Sequence, residues 1–480
     1  MRSMTAGRRA YLLAVSVAIL ASLAGGLPAA AQTLDEALVQ TYQSNPTLSA
    51  ARAELRAVNE RVPQALSGWR PTVELQGSAG QAYDENLRVD NANDGRSPAS
   101  ADLTVTQPLY RGGRTIAGTE RAEQEVLAQR ARLATTEQDV LLNAVTAYAD
   151  VWRDQSVLQL NINNEQVLAR QLEATQDRFD VGELTRTDVA QSESRLSSAT
   201  ADRIGAQGNL SSSRATFENV VGIVPGELVQ PPLPGGLPDD LQVIVDMAES
   251  ANPAVLSTSF DELAAQRSVR EVEGELLPTV ELQGSLGYQH ERNSRTNESQ
   301  SAEVLAVVRV PLYQQGAVSS RVREAKQVAS QRRLQVREAI RQARDDAITA
   351  WERLLAARAQ IAALEESVRA NEIALEGVRQ ENAVGARTVL DVLDAEQELL
   401  DAQVSLVSAQ RDEVVASFSV LSAIGRMTAA DLGLAAAVYD PDADYRAVRE
   451  SWFGLQAPGA EEVESFQGGI TGDTDAPGGF

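Results

Sequence analysis

Apolar residues recur at alternating steps of three and four along two stretches in the C-terminal half of the chain. One stretch is Ile361–Val378 and the other is Leu390–Leu421. This is the a/d spacing of a coiled coil, and no proline lies between Pro311 and Pro441. The pattern predicts two long helices that meet at a tip near Gly385. An arm over 318–382 would be about 100 Å long at ~1.5 Å per residue.

Apolar and polar residues alternate with a period of two in four shorter segments. The alternation predicts strands with one apolar and one hydrated face, at about 69–83, 101–110, 278–290 and 302–313. The fourth segment fits least well, because 304–308 is apolar at every position. The segments 84–100 and 291–301 are polar, and such loops are typical of the outer side of a transmembrane barrel.

The sequence contains an internal duplication. The segment Pro71–Ser78 recurs unchanged as Pro278–Ser285, and 181–189 resembles 384–392. Each copy is predicted to hold a first helix, two strands and a long helical hairpin, the helices at about 33–66 and 240–275 and the hairpins at about 114–221 and 317–424. The predicted divisions are a first repeat 32–222, a Pro/Gly linker 223–240, a second repeat 241–425, and an equatorial segment with an acidic, disordered tail 426–480.

The N-terminus has the order of a secretory signal peptide. Three arginines precede an apolar run at 11–23, and small residues lead to a predicted cleavage after Ala31. We therefore assign 1–31 to a signal peptide and expect the mature chain outside the cytoplasm. The alternative is an uncleaved membrane anchor, for which the apolar run is short.

Composition narrows the classes of function. The 480 residues carry a net charge of −24, with one histidine and no cysteine. Because a phosphate backbone needs a basic protein face, we expect no nucleic-acid partner. The sequence also holds no thiolate or histidine cluster, no phosphate-binding glycine loop and no nucleophile motif. We therefore expect no metal, no cofactor and no enzymatic activity.

Strand number predicts an assembly of several chains. Four strands cannot close a barrel, and an open sheet edge in lipid leaves unpaired backbone groups that cost several kcal/mol each. About eight strands give a filled interior, whereas more strands leave a channel. A trimer with twelve strands and two hairpins per chain would therefore form an open tube.

The segment Val384–Ala395, the duplicated order of elements and the Pro-Leu-Tyr turns at 108–110 and 311–313 resemble the TolC family of outer-membrane exit ducts. The resemblance covers about 33–430. It implies a mainly α fold with a small membrane β-barrel contribution. The trimer would form a twelve-stranded β-barrel in the outer membrane of a Gram-negative bacterium and a twelve-helix α-barrel that extends into the periplasm.

The resemblance also implies the partners and the function. The partners are two further copies of the chain, outer membrane lipid, a periplasmic adaptor (membrane fusion) protein, and an inner-membrane pump of ABC or RND type. The protein would be a passive duct with a periplasmic entrance gate, serving type I protein secretion and/or multidrug efflux. The absence of cysteine separates it from the lipid-anchored branch of the family.

Candidate site residues lie at the tips of the hairpins. Asp391 and Asp394 are three residues apart on a helix, so they share a face, and a trimer would gather six such carboxylates around its axis. The resemblance assigns this pair to the entrance gate, Arg387 and Asp188 to a tie that closes the gate, and adaptor docking to the tip residues Gly182, Thr185, Gly385 and Thr388.

Simpler interpretations stay open at this stage. Asp391 and Asp394 would also suit a solvated helix face, and the tip residues suit a glycine C-cap followed by a threonine N-cap. A secreted trimeric coiled-coil adhesin or scaffold is the alternative function. It explains the heptads but not the alternating strands.

Overall fold

The computed structural model of the chain describes residues 32–85, 93–291 and 298–455. In the first copy the elements are α1 (Leu34–Ser44), α2 (Pro46–Asn59), α3 (Arg61–Leu66), β1 (Thr72–Ala79), β2 (Ala82–Glu85), β3 (Asn93–Arg96), β4 (Ala99–Arg111), α4 (Arg114–Asp180) and α5 (Arg186–Val221). In the second copy they are α6 (Leu241–Ala251), α7 (Pro253–Glu273), β5 (Thr279–His290), β6 (Glu298–Arg309), α8 (Ala317–Ala383) and α9 (Val389–Ala423), followed by α10 (Pro441–Arg449).

Two very long helices set the dimensions of the molecule. Helices α4 and α8 each contain 67 residues, which corresponds to about 100 Å at ~1.5 Å per residue. The predicted seam of α8 faces inward, since its members are less exposed than most residues between them: Ile361, Leu364, Val368, Asn371, Leu375 and Val378. The expected fold class, mainly helical with a small sheet and built in duplicate, is confirmed.

The first helix of each copy is broken, and the prediction of continuous helices over 33–66 and 240–275 was wrong. Asn45 ends α1 and caps α2, because its Oδ1 accepts from Thr47 N at 2.9 Å while Pro46 has no N–H to place in α1. Asn45 Nδ2 also donates to Val220 O at 3.0 Å, at the end of α5. The Asn-Pro pair therefore turns the chain and ties it to the base of the hairpin.

The second copy repeats this arrangement. Asn252 Oδ1 accepts from Ala254 N at 2.8 Å, and its Nδ2 donates to Ala423 O at 3.0 Å, the last residue of α9. The recurrence of the Asn-Pro pair in the sequence thus marks a structural joint in both copies.

Strands β1, β4, β5 and β6 form one antiparallel sheet in that order. The register aligns Leu75 with Leu103, Leu103 with Leu286, and Leu286 with Ala302, so one face is apolar across all four strands. The opposite face, called the polar face below, carries at the neighbouring register positions Glu74, Thr104, Ser285 and Glu303. The alternation in the sequence therefore gives the sheet one apolar face and one polar face.

Two of the four predicted strands differ from the structure. The segment expected as one strand over 69–83 divides into β1 and β2, and β2 pairs with β3, inside the segment expected to be a loop. Strand β4 agrees with the predicted 101–110 to within two residues at each end, and it passes Pro108 through a register shift between Pro108 and Tyr110 that accommodates the missing N–H. Strand β6 instead ends at Arg309, before Pro311. The predicted loop residues 293–297 lie outside the described residues.

The main hydrophobic core lies at the middle of the long helices. It packs Tyr148 of α4 against Phe217 of α5, and both side chains are fully buried. The hydroxyl of Tyr148 lies within hydrogen-bond distance of Gln32 O, at 2.7 Å, and of Val229 O, at 2.9 Å. The N-terminal segment and the linker between the copies are thereby fastened to α4. Met427, after α9, is buried in the same core.

Helix α10 packs against the base of the first hairpin. Arg130 of α4 forms an ion pair with Asp442 at 2.6 Å, and Arg449 contacts Glu123 at 3.1 Å. The start of the acidic tail therefore lies on the helices, and 456–480 lies outside the described residues, as does the predicted signal peptide 1–31.

No helix in the described ranges combines the length and the apolar run that a bilayer crossing requires. Within the same ranges, no group of three or more His, Asp or Glu side chains is placed to hold a metal ion.

Candidate functional site at the hairpin tips

Each long hairpin turns at a glycine in the left-handed region. Gly182 has φ 83° and Gly385 has φ 79°, and no other atom lies within 4 Å of the position that a Cβ would occupy at either residue. A glycine takes this conformation without the strain that a side chain adds. The two tips are therefore exposed turns of the same type, at equivalent positions of the two copies.

A capping box starts the second helix of each hairpin. At the first tip, Asp188 Oδ2 accepts from Thr185 N at 2.9 Å and from Thr185 Oγ1 at 2.7 Å. At the second tip, Asp391 Oδ2 accepts from Thr388 N at 2.9 Å and from Thr388 Oγ1 at 2.8 Å. In return, the N–H of each aspartate donates to the threonine hydroxyl. The predicted threonine N-caps are therefore present.

The same hydrogen bonds shift the titration of both aspartates. Donation by the Thr388 hydroxyl and then by its N–H lowers the pKa of Asp391 below its ordinary value of 3.8. Donation by the Thr185 N–H and then by its hydroxyl lowers the pKa of Asp188 in the same way. Both side chains are consequently carboxylates at neutral pH, and each is committed to its own helix start.

Arg387 contacts its own tip. Its Nε donates to Glu381 Oε2 at 2.9 Å, and its Nη1 lies 4.0 Å from an oxygen of Asp391. Asn382 Nδ2 holds the turn by donating to Arg387 O at 2.9 Å. Among the described residues of one chain, Arg387 and Asp188 form no ion pair with each other. The predicted closing tie is therefore not formed inside a protomer, and it stays a prediction about the assembly.

Asp394 has a partner that the sequence analysis missed. It forms an ion pair with Arg195 of α5, so the second hairpin is bound to the first. These residues are 199 positions apart, which hides the pair from any local pattern. The duplication does not reveal the pair either, because the equivalent residues, Glu398 for Arg195 and Gln191 for Asp394, do not have opposite charges.

Apolar side chains also join the two hairpins near their tips. Val389 and Leu393 of α9 are buried in one cluster with Leu168 of α4 and Ala199 of α5. Leu393 belongs to the heptad seam that the sequence predicted. Asp391 and Asp394 remain partly exposed on the same helix. The arrangement presents two carboxylates to solvent from a helix whose opposite side is fixed.

The chain has extensive similarity to known proteins. A family model described as "Outer membrane efflux protein" matches residues 37–222 and 244–426, one span in each copy. The outer membrane efflux protein BepC of Brucella suis is 36% identical over 449 residues, covering 93% of this chain and 97% of BepC. The outer membrane protein TolC of Escherichia coli is 26% identical over 416 residues, covering 83% of this chain and 84% of TolC.

A solved structure extends the comparison to the fold. The outer membrane protein VceC of Vibrio cholerae matches with a TM-score of 0.70 at 20% identity, covering 82% of this chain and 96% of VceC. The shared fold includes both copies of the repeat, and the family model independently matches the sequence of each copy. The chain belongs to the outer membrane efflux protein family.

Proposed function

We propose that three copies of this chain form the exit duct of a tripartite export system. The protein is located in the outer membrane, as its family is. It conducts passively, since an inner-membrane pump of ABC or RND type supplies the energy and a periplasmic adaptor protein joins pump and duct. The pump selects the cargo, which is a secreted protein or a small molecule.

The main support for this proposal is the two open edges of the sheet. Among the described residues, strands β1 and β6 each have a neighbour on one side only. Their apolar faces are exposed, with Leu75 at 74% and Val304 at 75%. In a membrane, the unpaired edges would cost several kcal/mol per backbone group, so β1 of one protomer pairs with β6 of the next. Three protomers supply twelve strands and leave a bore, whereas two supply eight and fill it.

The entrance gate in this proposal lies at the hairpin tips. Asp391 and Asp394 from three protomers form a ring of six carboxylates, which attracts cations and repels anions in a narrow opening. Arg387 and Asp188 tie neighbouring protomers to each other. Arg387 is exposed and Asp188 is partly exposed, so solvent screening keeps these ties weak and they yield when an adaptor docks. The docking surface comprises the tip residues Gly182, Thr185, Gly385 and Thr388.

Cysteine cross-linking tests the assembly, because the chain has no cysteine of its own. Val73→Cys on β1 is combined in turn with Val304→Cys, Ala306→Cys and Val308→Cys on β6, all on the apolar face. Oxidation of the purified protein in detergent is expected to give covalent trimers in the pair whose register brings the sulfurs together. A denaturing gel without reductant measures the product.

Single-cysteine variants are the matched controls, since one cysteine per chain can link two chains but never three. Absence of a trimer in every pair, or products larger than three chains, contradicts the closed threefold assembly. A cross-linked trimer that partitions into water without detergent would instead support the secreted coiled-coil adhesin or scaffold.

A further inference from the structure

An arginine-rich recess opens on the polar face of the sheet, where the strands meet the helices. Its volume is about 930 Å³. Thr72, Thr106 and Glu281 line it from the sheet, and all three lie on the polar face by register. The remaining walls are α3, the start of α4 and the turn after α7. Six arginines line the recess: Arg61, Arg70, Arg111, Arg114, Arg121 and Arg309.

Three of the four acidic residues of the recess are closely paired, and the fourth, Glu281, lies 3.9 Å from Arg309. Glu125 accepts from Arg61 at 2.9 Å and from Arg121 at 2.6 Å. Arg121 also donates to Glu271 at 2.8 Å. Glu275 is held by Arg321, which lies outside the recess. These carboxylates are therefore not available to neutralise the other arginines.

Three guanidinium groups of the recess have no acidic partner among the described residues: Arg70, which donates to Ser451 O at 2.8 Å, Arg111 and Arg114. Arg111 forms no ion pair or side-chain hydrogen bond among the described residues, and it is half-buried. Arg114 donates from Nε to Arg111 O at 3.1 Å, and none of its nitrogens contacts a carboxylate within the described part of the chain. Uncompensated positive charge in a recess is unusual for a chain of net charge −24. It favours an anionic ligand.

The buried hydroxyl group of Thr115 is a second observation that indicates a ligand at this recess. Thr115 is 6% exposed, lines the recess, and its Oγ1 has no hydrogen-bond partner. Thr115 Oγ1 and Arg111 Nη1 each lie 2.9 Å from the point that a Cβ on Gly68 would occupy. Helix α4 begins here without a side-chain cap, and its dipole favours negative charge. Arg111 and Thr115 thus meet beside Gly68, where Thr115 Oγ1 has no partner among the described residues.

The duplication shows that the fold does not require this cluster. Counting from the Pro-Leu-Tyr turns, Arg111 is equivalent to Gln314, Arg114 to Ala317 and Thr115 to Val318. The second copy makes the equivalent turn into its long helix with no cationic side chain at these three positions, and Val318 is buried as Thr115 is. The donors of the first copy are therefore an addition to the junction.

We propose that this recess binds an oxyanion, the carboxylate or phosphate group of a molecule that reaches the polar face. Guanidinium groups and a hydroxyl suit such a group, because each oxygen accepts charge-assisted hydrogen bonds. In the proposed assembly the polar face lines the bore, so three recesses contact anions in transit. That location depends on the proposed function, whereas binding by the protein itself does not.

Calorimetric titration of the purified full-length protein in detergent tests the proposal. Inorganic phosphate and acetate are titrated at constant ionic strength, with chloride as the reference anion. The expected result is binding of phosphate or acetate above the chloride background. Arg111→Gln is expected to weaken it about tenfold or more, and Thr115→Val about fivefold, because each removes donors to the ligand.

Both substitutions install the residue of the second copy, so the junction is expected to fold. Thr115→Val is expected to leave the unfolding midpoint unchanged or raise it, since it removes an unsatisfied buried hydroxyl. The matched control is Arg341→Gln, an exposed arginine of α8 outside the recess.

Equal binding by Arg111→Gln and the unmodified protein overturns the proposal, as does binding no stronger than that of chloride. Binding of anionic phospholipid in nanodiscs, without binding of soluble phosphate or acetate, would overturn the assignment to the aqueous face. Failure of the channel to conduct would leave measured anion binding intact, so the two proposals fail separately.

Discussion

Helices α4 and α8 occupy equivalent positions in the two copies and have the same length, yet their surroundings differ. Twenty-three residues of α4 are buried, against nine of α8. The first helix is covered by α1, α2, α3, α5, α7 and α9, whereas the second has mainly α6, α7 and α9. The duplication therefore gives two helices of one design, of which only the first is enclosed by its own chain.

The exposed side of α8 is partly apolar. Leu334 is 59% exposed and Ile373 is 70% exposed, at opposite ends of the helix. A neighbouring protomer supplies the missing cover in the proposed trimer. The two copies therefore contribute differently. Helix α4 packs inside the protomer, whereas α8 leaves apolar surface available for contact with a neighbouring protomer.

Truncation of one leucine on each helix gives the largest contrast. Leu141→Ala on α4 empties a fully buried position and is expected to lower the free energy of unfolding by about 2–5 kcal/mol. Leu334→Ala on α8 is expected to change the stability of a dissociated protomer by less than about 0.5 kcal/mol. Denaturant titration of the purified protein, followed by circular dichroism, measures both.

Leu141→Ala and Leu334→Ala are also compared in the assembled state. Leu334→Ala is expected to lower the detergent or temperature threshold at which trimers dissociate, because its cover comes from a neighbour. If Leu141→Ala and Leu334→Ala destabilise the dissociated protomer equally, the two helices do not differ as described.

Removal of a capping box is expected to have a smaller effect on stability, of similar size in the two copies. Thr185→Ala and Thr388→Ala each remove a side-chain cap, a loss worth about 1 kcal/mol of local stability. Hydrogen exchange of the first turns of α5 and α9 measures it, with Thr187→Ala, which is not the cap, as the control. A large response at only one tip would show that the other is held by something else.

These caps also have a defined pH dependence. The pKa values of Asp188 and Asp391 lie below 3.8 in the folded chain, so folding favours their carboxylate forms. Their stabilising effect is complete above the unfolded value of 3.8 and is lost as pH falls through the lower folded pKa. The protection of both tips against exchange, relative to the intrinsic rate at each pH, should therefore fall only in strongly acidic solution, and Asp391→Asn should remove that dependence at the second tip.

The sequence predicted those features that depend on local pattern. Proline-free heptads identified the long helices, the repeated tip residues identified both turns, and alternation identified the two faces of the sheet. The prediction of one continuous first helix in each copy failed at Asn45 and Asn252, where an Asn-Pro pair ends one helix and caps the next. The contact of Arg195 with Asp394 and the recess around Arg111 could not be predicted, because each depends on how distant segments pack.

Substitution of Asp391 and Asp394 is expected to change the stability least and the ion selectivity of the proposed channel most clearly. The side chains of Asp394 and Arg195 are partly exposed, so their pair contributes at most about 1 kcal/mol to stability. Its effect on the proposed gate is electrostatic. Asp391→Asn combined with Asp394→Asn is expected to lower cation selectivity, measured as the reversal potential in a planar bilayer under a salt gradient.

Arg195→Gln leaves both carboxylates in place and removes the charge that neutralises one of them. It is expected to raise cation selectivity, opposite in sign to the double aspartate variant, with Arg214→Gln farther along α5 as the control. Unchanged selectivity in both variants would place the selective ring elsewhere in the channel. Opposite shifts would show that the first copy, through Arg195, sets the charge that the second copy presents to the entrance.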